Sequence, residues 1–304
     1  MKTCTILLAF LYISLHVYAQ SSSYTQQEVI YGRKDGMALT MLYVQPRISN
    51  GKGIIRLLSG NWISSYQRVN VIVENSAAFL QKGYTVFVVI PSSQPRYSIP
   101  DQVNDVKRAV RYIRYHAKRF RVDPVRIGIT GGSSGGNLSL LVATADDKRD
   151  STSRDVIDKV SSRVQAIAVL YPPTDFFNWG QEGSAIYKNE KLLALARVAG
   201  AFDFQVLNDT TYSYFPVIDQ EKRIKIYRDV SPLYAVTPDD PPVLIIHGTK
   251  DAVVPIQQSQ VIIAKFKEMN VKNQLVIKEG LGHGWSNQDA EYKLMAEWFD
   301  EHLK

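Results

Sequence analysis

Arg126-Ile127-Gly128-Ile129-Thr130-Gly131-Gly132-Ser133-Ser134-Gly135-Gly136-Asn137-Leu138 is the stretch on which the reading of this chain turns. Its first five residues form a short β-rich run, and a helix-like run, 138–145, follows the glycines. A strand, a G-x-S-x-G turn and a helix in immediate succession place a serine in a strained backbone conformation with its hydroxyl projecting outward. Glycines two residues to either side are needed where a Cβ would strike the neighbouring strand or helix. The helix that follows aims its free N–H groups at the point where negative charge would develop. The motif reads in two registers, Gly131-x-Ser133-x-Gly135 and Gly132-x-Ser134-x-Gly136, so either serine can be the nucleophile.

Outward from the turn, apolar β-rich runs alternate with helical patterns. Strands are expected at 28–31, 38–44, 53–58, 84–90, 126–130, 165–170, 242–247 and 274–278. Runs such as Val86-Phe87-Val88-Val89-Ile90 are apolar throughout, which marks strands buried on both faces of a parallel sheet. Helices are expected at 70–81, 134–145, 255–269 and 289–302, with a further one capped by Asp101. That last helix has apolar positions Val103, Val106, Val110, Ile113 and Ala117; Lys107, Arg108, Arg111, Arg114, Lys118 and Arg119 read as its solvated face. The pattern predicts an α/β fold, a mostly parallel central sheet flanked by helices. It fails once, between Tyr171 and Val230, where no clear strand is visible and aromatics are dense. Residues 180–227 are expected to form an insertion over the site, helical at 189–198, that walls a pocket or holds an aromatic core of its own.

A serine hydroxyl needs a base, and the base needs an orienting acid. Of five histidines, His16 lies in the leader, His116 and His302 sit on helices where solvation is expected, and His247 closes an apolar strand and is expected to be packed. His283 stands in the glycine-rich loop Gly280-Leu281-Gly282-His283-Gly284-Trp285, free to reach the carboxyl edge of the sheet. Asp251 follows the strand at 242–247 and precedes a helix; by position alone it is a helix-cap aspartate or the acid.

The run from Gly131 to Leu138 resembles the G-x-S-A-G-G-[NH]-L signature of the esterase/lipase branch of the α/β-hydrolase superfamily, with Ser134 in the alanine place. The segment His247-Gly248-Thr249-Lys250-Asp251-Ala252-Val253-Val254-Pro255 resembles its acid-bearing loop, and the order Ser133, Asp251, His283 is that of the superfamily. The resemblance implies an α/β-hydrolase fold, Ser133 as nucleophile, His283 as base, Asp251 as its orienting acid, and no metal or cofactor. Leu58-Ser59-Gly60-Asn61-Trp62 aligns with the His-Gly-Gly-Gly-Trp-like segment of such esterases, with three departures at Leu58, Ser59 and Asn61. The oxyanion donors it suggests are the N–H of Asn61 or Gly60 and that of Ser134.

The chain has 304 residues, 45% hydrophobic and 21% charged, and a formal charge of +7. That composition excludes disorder and collagen-like repeats, and one cysteine excludes an internal disulfide and a cysteine zinc site. Residues 1–19, with Lys2, an apolar run to Val17 and Val17-Tyr18-Ala19, read as a cleavable signal peptide. The expected mature protein is a single secreted or periplasmic domain, 20–304, with no membrane anchor left and no nucleic-acid partner. Trp62, Trp179 and Trp285 are expected to offer flat faces to a sugar. The substrate class implied is an ester, with acetyl or feruloyl groups on polysaccharide foremost. A lipase or general carboxylesterase, a prolyl-oligopeptidase-like peptidase lacking its propeller, and an inactive hydrolase-fold binding protein are the alternatives.

Overall fold

Apolar strands that cannot meet water on either face build the centre of the molecule. The computed structural model describes residues 24–208 and 210–304, so the expected signal peptide lies outside the described residues. The strands are β1 (Tyr24–Lys34), β2 (Met37–Pro46), β3 (Gly53–Leu57), β4 (Thr85–Ile90), β5 (Ile127–Gly132), β6 (Ala166–Leu170), β7 (Gln205–Asn208), β8 (Ser213–Pro216), β9 (Val243–Gly248) and β10 (Asn273–Lys278). Eight of them make one sheet, in the order β1-β2-β4-β3-β5-β6-β9-β10. The β1–β2 and β2–β4 pairs are antiparallel and every later pair is parallel.

The helices are α1 (Val69–Glu74), α2 (Ala77–Gln81), α3 (Ile99–Tyr115), α4 (Ala117–Phe120), α5 (Ser134–Thr144), α6 (Glu190–Leu195), α7 (Gln220–Asp229), α8 (Gln257–Glu268) and α9 (Asp289–His302). They cover both faces. One apolar core joins the sheet to α3, α5, α8 and the 176–230 region, and the other joins it to α1, α2 and α9. Among the described residues no helix is long and apolar enough to cross a membrane.

Four expectations need correction. The helix at 70–81 is two, α1 and α2, because the Asn75 carbonyl at the break accepts a hydrogen bond from Arg56 Nη1 (2.5 Å) instead of continuing the helix. Asp101 does not cap α3. Ser98 is the N-cap, and Asp101 sits three residues on in a capping box, accepting from the Ser98 N–H (3.0 Å) and hydroxyl (2.9 Å). The basic side of α3 is not a solvated face: Arg108 pairs with Asp155 (2.6 Å) and Asp158 (3.2 Å), and Arg114 reaches the carbonyls of Ser161 and Arg163. These bonds tie down the long connection from α5 to β6. Finally, the region from Tyr171 to Val230 does contain strands, the antiparallel hairpin β7–β8.

Candidate active site

The carboxyl ends of β3, β5, β6, β9 and β10 each lead into a connection that delivers one part of the site: Asn61, Ser133, Tyr171, Asp251 and His283 in turn. After β5 the chain turns sharply at Ser133, whose φ of +53° and ψ of −123° lie outside the regions ordinary side chains favour. Gly131 is required here: a Cβ on it would stand 2.5 Å from the carbonyl of Gly135. Ser133 is partly exposed, whereas Ser134 is buried with its hydroxyl 3.0 Å from that of Ser59. The two registers are thereby distinct in space, and only the Ser133 hydroxyl meets an imidazole.

That imidazole is His283. Its Nδ1–H donates to Asp251 Oδ2 (2.7 Å), which leaves Nε2 to accept from the Ser133 hydroxyl (3.0 Å). Three side chains from three separate connections thus form one continuous hydrogen-bonded line. The loops carrying Asp251 and His283 are pressed together at Gly248, where a Cβ would lie 2.3 Å from the Leu281 carbonyl oxygen. Asp251 is buried, and its other oxygen accepts from the N–H groups of Val253 (2.9 Å) and Val254 (2.8 Å). Burial alone would raise its pKa. Hydrogen bonds from His247, His283 and the Val254 N–H outweigh burial and hold the carboxyl well below the usual carboxylate range.

His247 is fully buried, as a packed histidine should be, but it also touches the acid. The Ser259 hydroxyl (2.6 Å) bonds its Nδ1, and its Nε2 faces the Val254 carbonyl (2.9 Å) and Asp251 Oδ2 (3.2 Å). His116 and His302 are less solvated than expected: His116 stacks near Tyr112, and the His302 ring packs on Trp298.

Past β3, Asn61 and Trp62 take consecutive left-handed conformations, φ +53° and +55°. Gly60 is ruled out as an oxyanion donor because its N–H already donates to the Ile63 carbonyl (3.0 Å) across a small closed turn. The Asn61 N–H has no acceptor among the described residues. Its side chain donates to the Ala196 carbonyl (3.3 Å), and its own carbonyl accepts from Gln94 (2.7 Å), so the turn is held from both sides. Ser134 N–H is the other available donor, being among the first N–H groups of α5, which have no partner within the helix.

These parts line a cavity of about 440 Å³ that includes Ser59, Asn61, Ser133, Tyr171, His283 and Trp285. Of the three tryptophans expected to meet substrate, only Trp285 is there, its indole N–H fixed to Glu291 (3.3 Å). Trp62 is a core residue. It is buried edge-on against Phe176 and Phe202, with its N–H donating to Asn137 Oδ1 (3.3 Å). Trp179 is half-buried and stacks on Phe176. No described residue of 180–227 lines this cavity; the insertion packs its aromatics on one another and braces the Asn61 turn from outside.

Tyr171, Gln288 and Tyr292 were not anticipated. Tyr171 directly follows β6, the same station that Ser133 has after β5, and that position was its available signal. Its ring centroid lies 4.5 Å from that of His283, and its hydroxyl accepts from Gln288 (3.0 Å), which in turn accepts from Tyr292 (2.9 Å). Burial pushes the Tyr171 phenol up to about 12, so it stays neutral beside the imidazole.

The fold has counterparts. A solved carbohydrate esterase from gut microbiota, a truncated form, superposes with a TM-score of 0.70 at 24% identity, covering 93% of this chain and 98% of that one. The acetyl ester-xyloside bifunctional hydrolase of Caldicellulosiruptor lactoaceticus does so with a TM-score of 0.69 at 22% identity, covering 90% and 96%. Both likenesses speak to fold. In sequence, the probable carboxylic ester hydrolase LipM of Mycobacterium tuberculosis is 28% identical over 185 residues, 58% of this chain and 36% of LipM. The chain therefore aligns with well under half of that relative's length. The BD-FAE family model matches residues 42–266, from β2 through α8, and takes in both Ser133 and Asp251. The chain belongs to the BD-FAE family, within the esterase branch of the α/β-hydrolase superfamily.

Proposed function

We propose that this protein is an exported serine esterase that removes acyl groups, acetyl or feruloyl, from polysaccharide. The observation that carries the reading is the line from Asp251 through His283 to Ser133 at the mouth of a cavity. In the first step the Ser133 hydroxyl attacks the ester carbonyl as His283 Nε2 takes its proton. Asp251 holds the ring in the tautomer that accepts there and stabilises the imidazolium that forms. The N–H groups of Asn61 and Ser134 face the oxyanion, and each such donor is worth about 3 kcal/mol in the transition state. His283 then protonates the departing alcohol, and water repeats the sequence in reverse to release the acid and restore Ser133.

The carbohydrate part of the proposal draws on the cavity and on the relatives. Its lining mixes the rings of Tyr171, Trp285 and Tyr292 with Ser59, Asn61 and Gln288, a surface suited to sugar hydroxyls more than to a long acyl chain. The two solved counterparts are described as a carbohydrate esterase and an acetyl ester-xyloside hydrolase. The test is a panel of acetylated xylan, methyl ferulate and long-chain 4-nitrophenyl esters, run beside labelling by a fluorophosphonate. Labelling with release of acetate or ferulate is expected. Turnover confined to the long-chain esters would end the carbohydrate reading, and folded protein that neither labels nor turns over would end the esterase reading.

A further inference from the structure

Arg56 interrupts a strand that is otherwise apolar and sits in the middle of the sheet. It is 5% exposed and lines the same cavity as Ser133. Burying a guanidinium is costly unless a carboxylate or phosphate compensates it. Among the described residues none does. Nη1 donates to the Asn75 carbonyl (2.5 Å) and the Ser76 hydroxyl (3.1 Å), and the Tyr292 ring centroid lies 4.2 Å from the guanidinium carbon. These are neutral partners. The nearby ion pairs do not reach it: Glu291 is matched to Lys278 (2.6 Å) and Asp251 to the two histidines.

A second arginine stands over the same cavity. Arg68 is exposed, with Nη1 beside Gly60 in the turn that carries Asn61, and it too has no carboxylate partner among the described residues. Among the described residues the lining contains no aspartate or glutamate. A cleft with one buried and one open guanidinium and no acid is built for a negative charge, and the planar fork of arginine matches a carboxylate edge-on.

We infer that Arg56, with Arg68 at the rim, binds a carboxylate carried by the ester substrate itself. The inference rests on the esterase reading and narrows it to anionic esters. The carboxylate can sit on either side of the scissile bond. On the alcohol side it belongs to a uronic acid bearing the acyl group; on the acyl side it is the far end of a dicarboxylic hemiester. Arg56 has a structural duty as well, since it closes the break between α1 and α2. The test must therefore read something that a structural role would leave alone.

That readout is a ratio of kcat/KM values measured on one enzyme preparation. For the acyl side, 4-nitrophenyl hemiglutarate is compared with 4-nitrophenyl valerate, which has the same length without the charge. For the alcohol side, a monoacetylated methyl glucuronoside is compared with the matching glucoside. The wild type is expected to prefer the anionic member of one pair by roughly ten- to a hundred-fold. Arg56→Met should bring that ratio close to unity, and Arg56→Lys should restore part of it. If Arg56→Met does not fold, Arg68→Gln decides, with an expected fall of about threefold in the same ratio and a weaker preference at high salt.

Equal rates for both members of both pairs in the wild type would overturn the inference, as would a preference that Arg56→Met leaves intact or, where that variant does not fold, a ratio that Arg68→Gln leaves unchanged. Fluorophosphonate labelling in the same samples separates the two levels of failure. Labelling with no charge preference sinks the anion site alone, whereas no labelling and no turnover sinks the esterase reading and the anion site with it.

Discussion

The carboxyl edge of the sheet and the region from Tyr171 to Val230 both carry polar and aromatic side chains, yet they use them in opposite ways. At the sheet edge, a few polar side chains emerge from tight turns that admit little variation: Gly131 cannot carry a Cβ beside Gly135, nor Gly248 beside Leu281. In the insertion, rings close on rings. Tyr187 stacks on Tyr227 with centroids 4.0 Å apart, and Phe202 and Phe204 pack beside them. Steric necessity in a turn leaves a readable spacing in the chain. Aromatic packing leaves only a composition, and composition does not say which ring faces a ligand.

The sharpest way to break this contrast is at the turn itself. Ser133→Ala should abolish fluorophosphonate labelling and lower ester turnover by about a million-fold. Ser134→Ala removes only the bond to Ser59 and should still label. The reverse result would mean that the wrong register has been assigned, and with it the role of His283.

Asp251→Asn should come next, costing about 10⁴ in kcat by favouring the wrong tautomer of His283. It also carries a signature in stability. Because the native carboxyl titrates well below its unfolded value, the unfolded chain takes up that proton first. The stabilisation is complete above about pH 4 and drains away as pH falls toward the native value. Urea midpoints measured at pH 6 and pH 3 should therefore differ less for Asp251→Asn than for wild type. An equal drop in both would show that the carboxylate is not held as its hydrogen bonds indicate.

The same contrast explains what was legible beforehand. The sheet was readable because strands buried on both faces are continuously apolar, and Ser133, Asp251 and His283 because each follows a strand at a fixed station. Gly60 misled, since the pairing of its N–H with Ile63 is a property of a closed turn and not of residue type. Trp62 and Trp179 misled because tryptophan serves equally as a sugar platform and as a core pillar, and only the path of the insertion decides. The charges of α3 looked solvated because their partners, Asp155 and Asp158, are supplied by a connection some fifty residues further along. Arg56 was passed over in the sequence, although a charge within a buried strand is the kind of local inconsistency that marks function.

Trp62 gives the next test in size. If it is a pillar between the oxyanion turn and the insertion, Trp62→Ala should cost about 3–5 kcal/mol, as buried aromatic truncations do. Denaturant unfolding measures this directly. A change in KM for sugar esters with stability intact would return Trp62 to the substrate surface and undo the distinction drawn between the two regions.

The smallest effect is expected at the β7–β8 hairpin, and there it tests whether the insertion is finished as it stands. Val206, Leu207, Tyr214 and Phe215 are all exposed, and they pair only with one another across the two strands. Among the described residues the one side-chain hydrogen bond from this group to the body is a long contact from the Tyr214 hydroxyl to Asp35 (3.4 Å). Substituting exposed residues of this kind shifts stability by about 0.5 kcal/mol or less. Leu207→Ser and Phe215→Ser should accordingly leave the urea midpoint and ester turnover close to wild type. A loss of several times that size, growing as the protein is diluted, would mean that these side chains are buried against a second chain in solution, because only association makes unfolding depend on concentration.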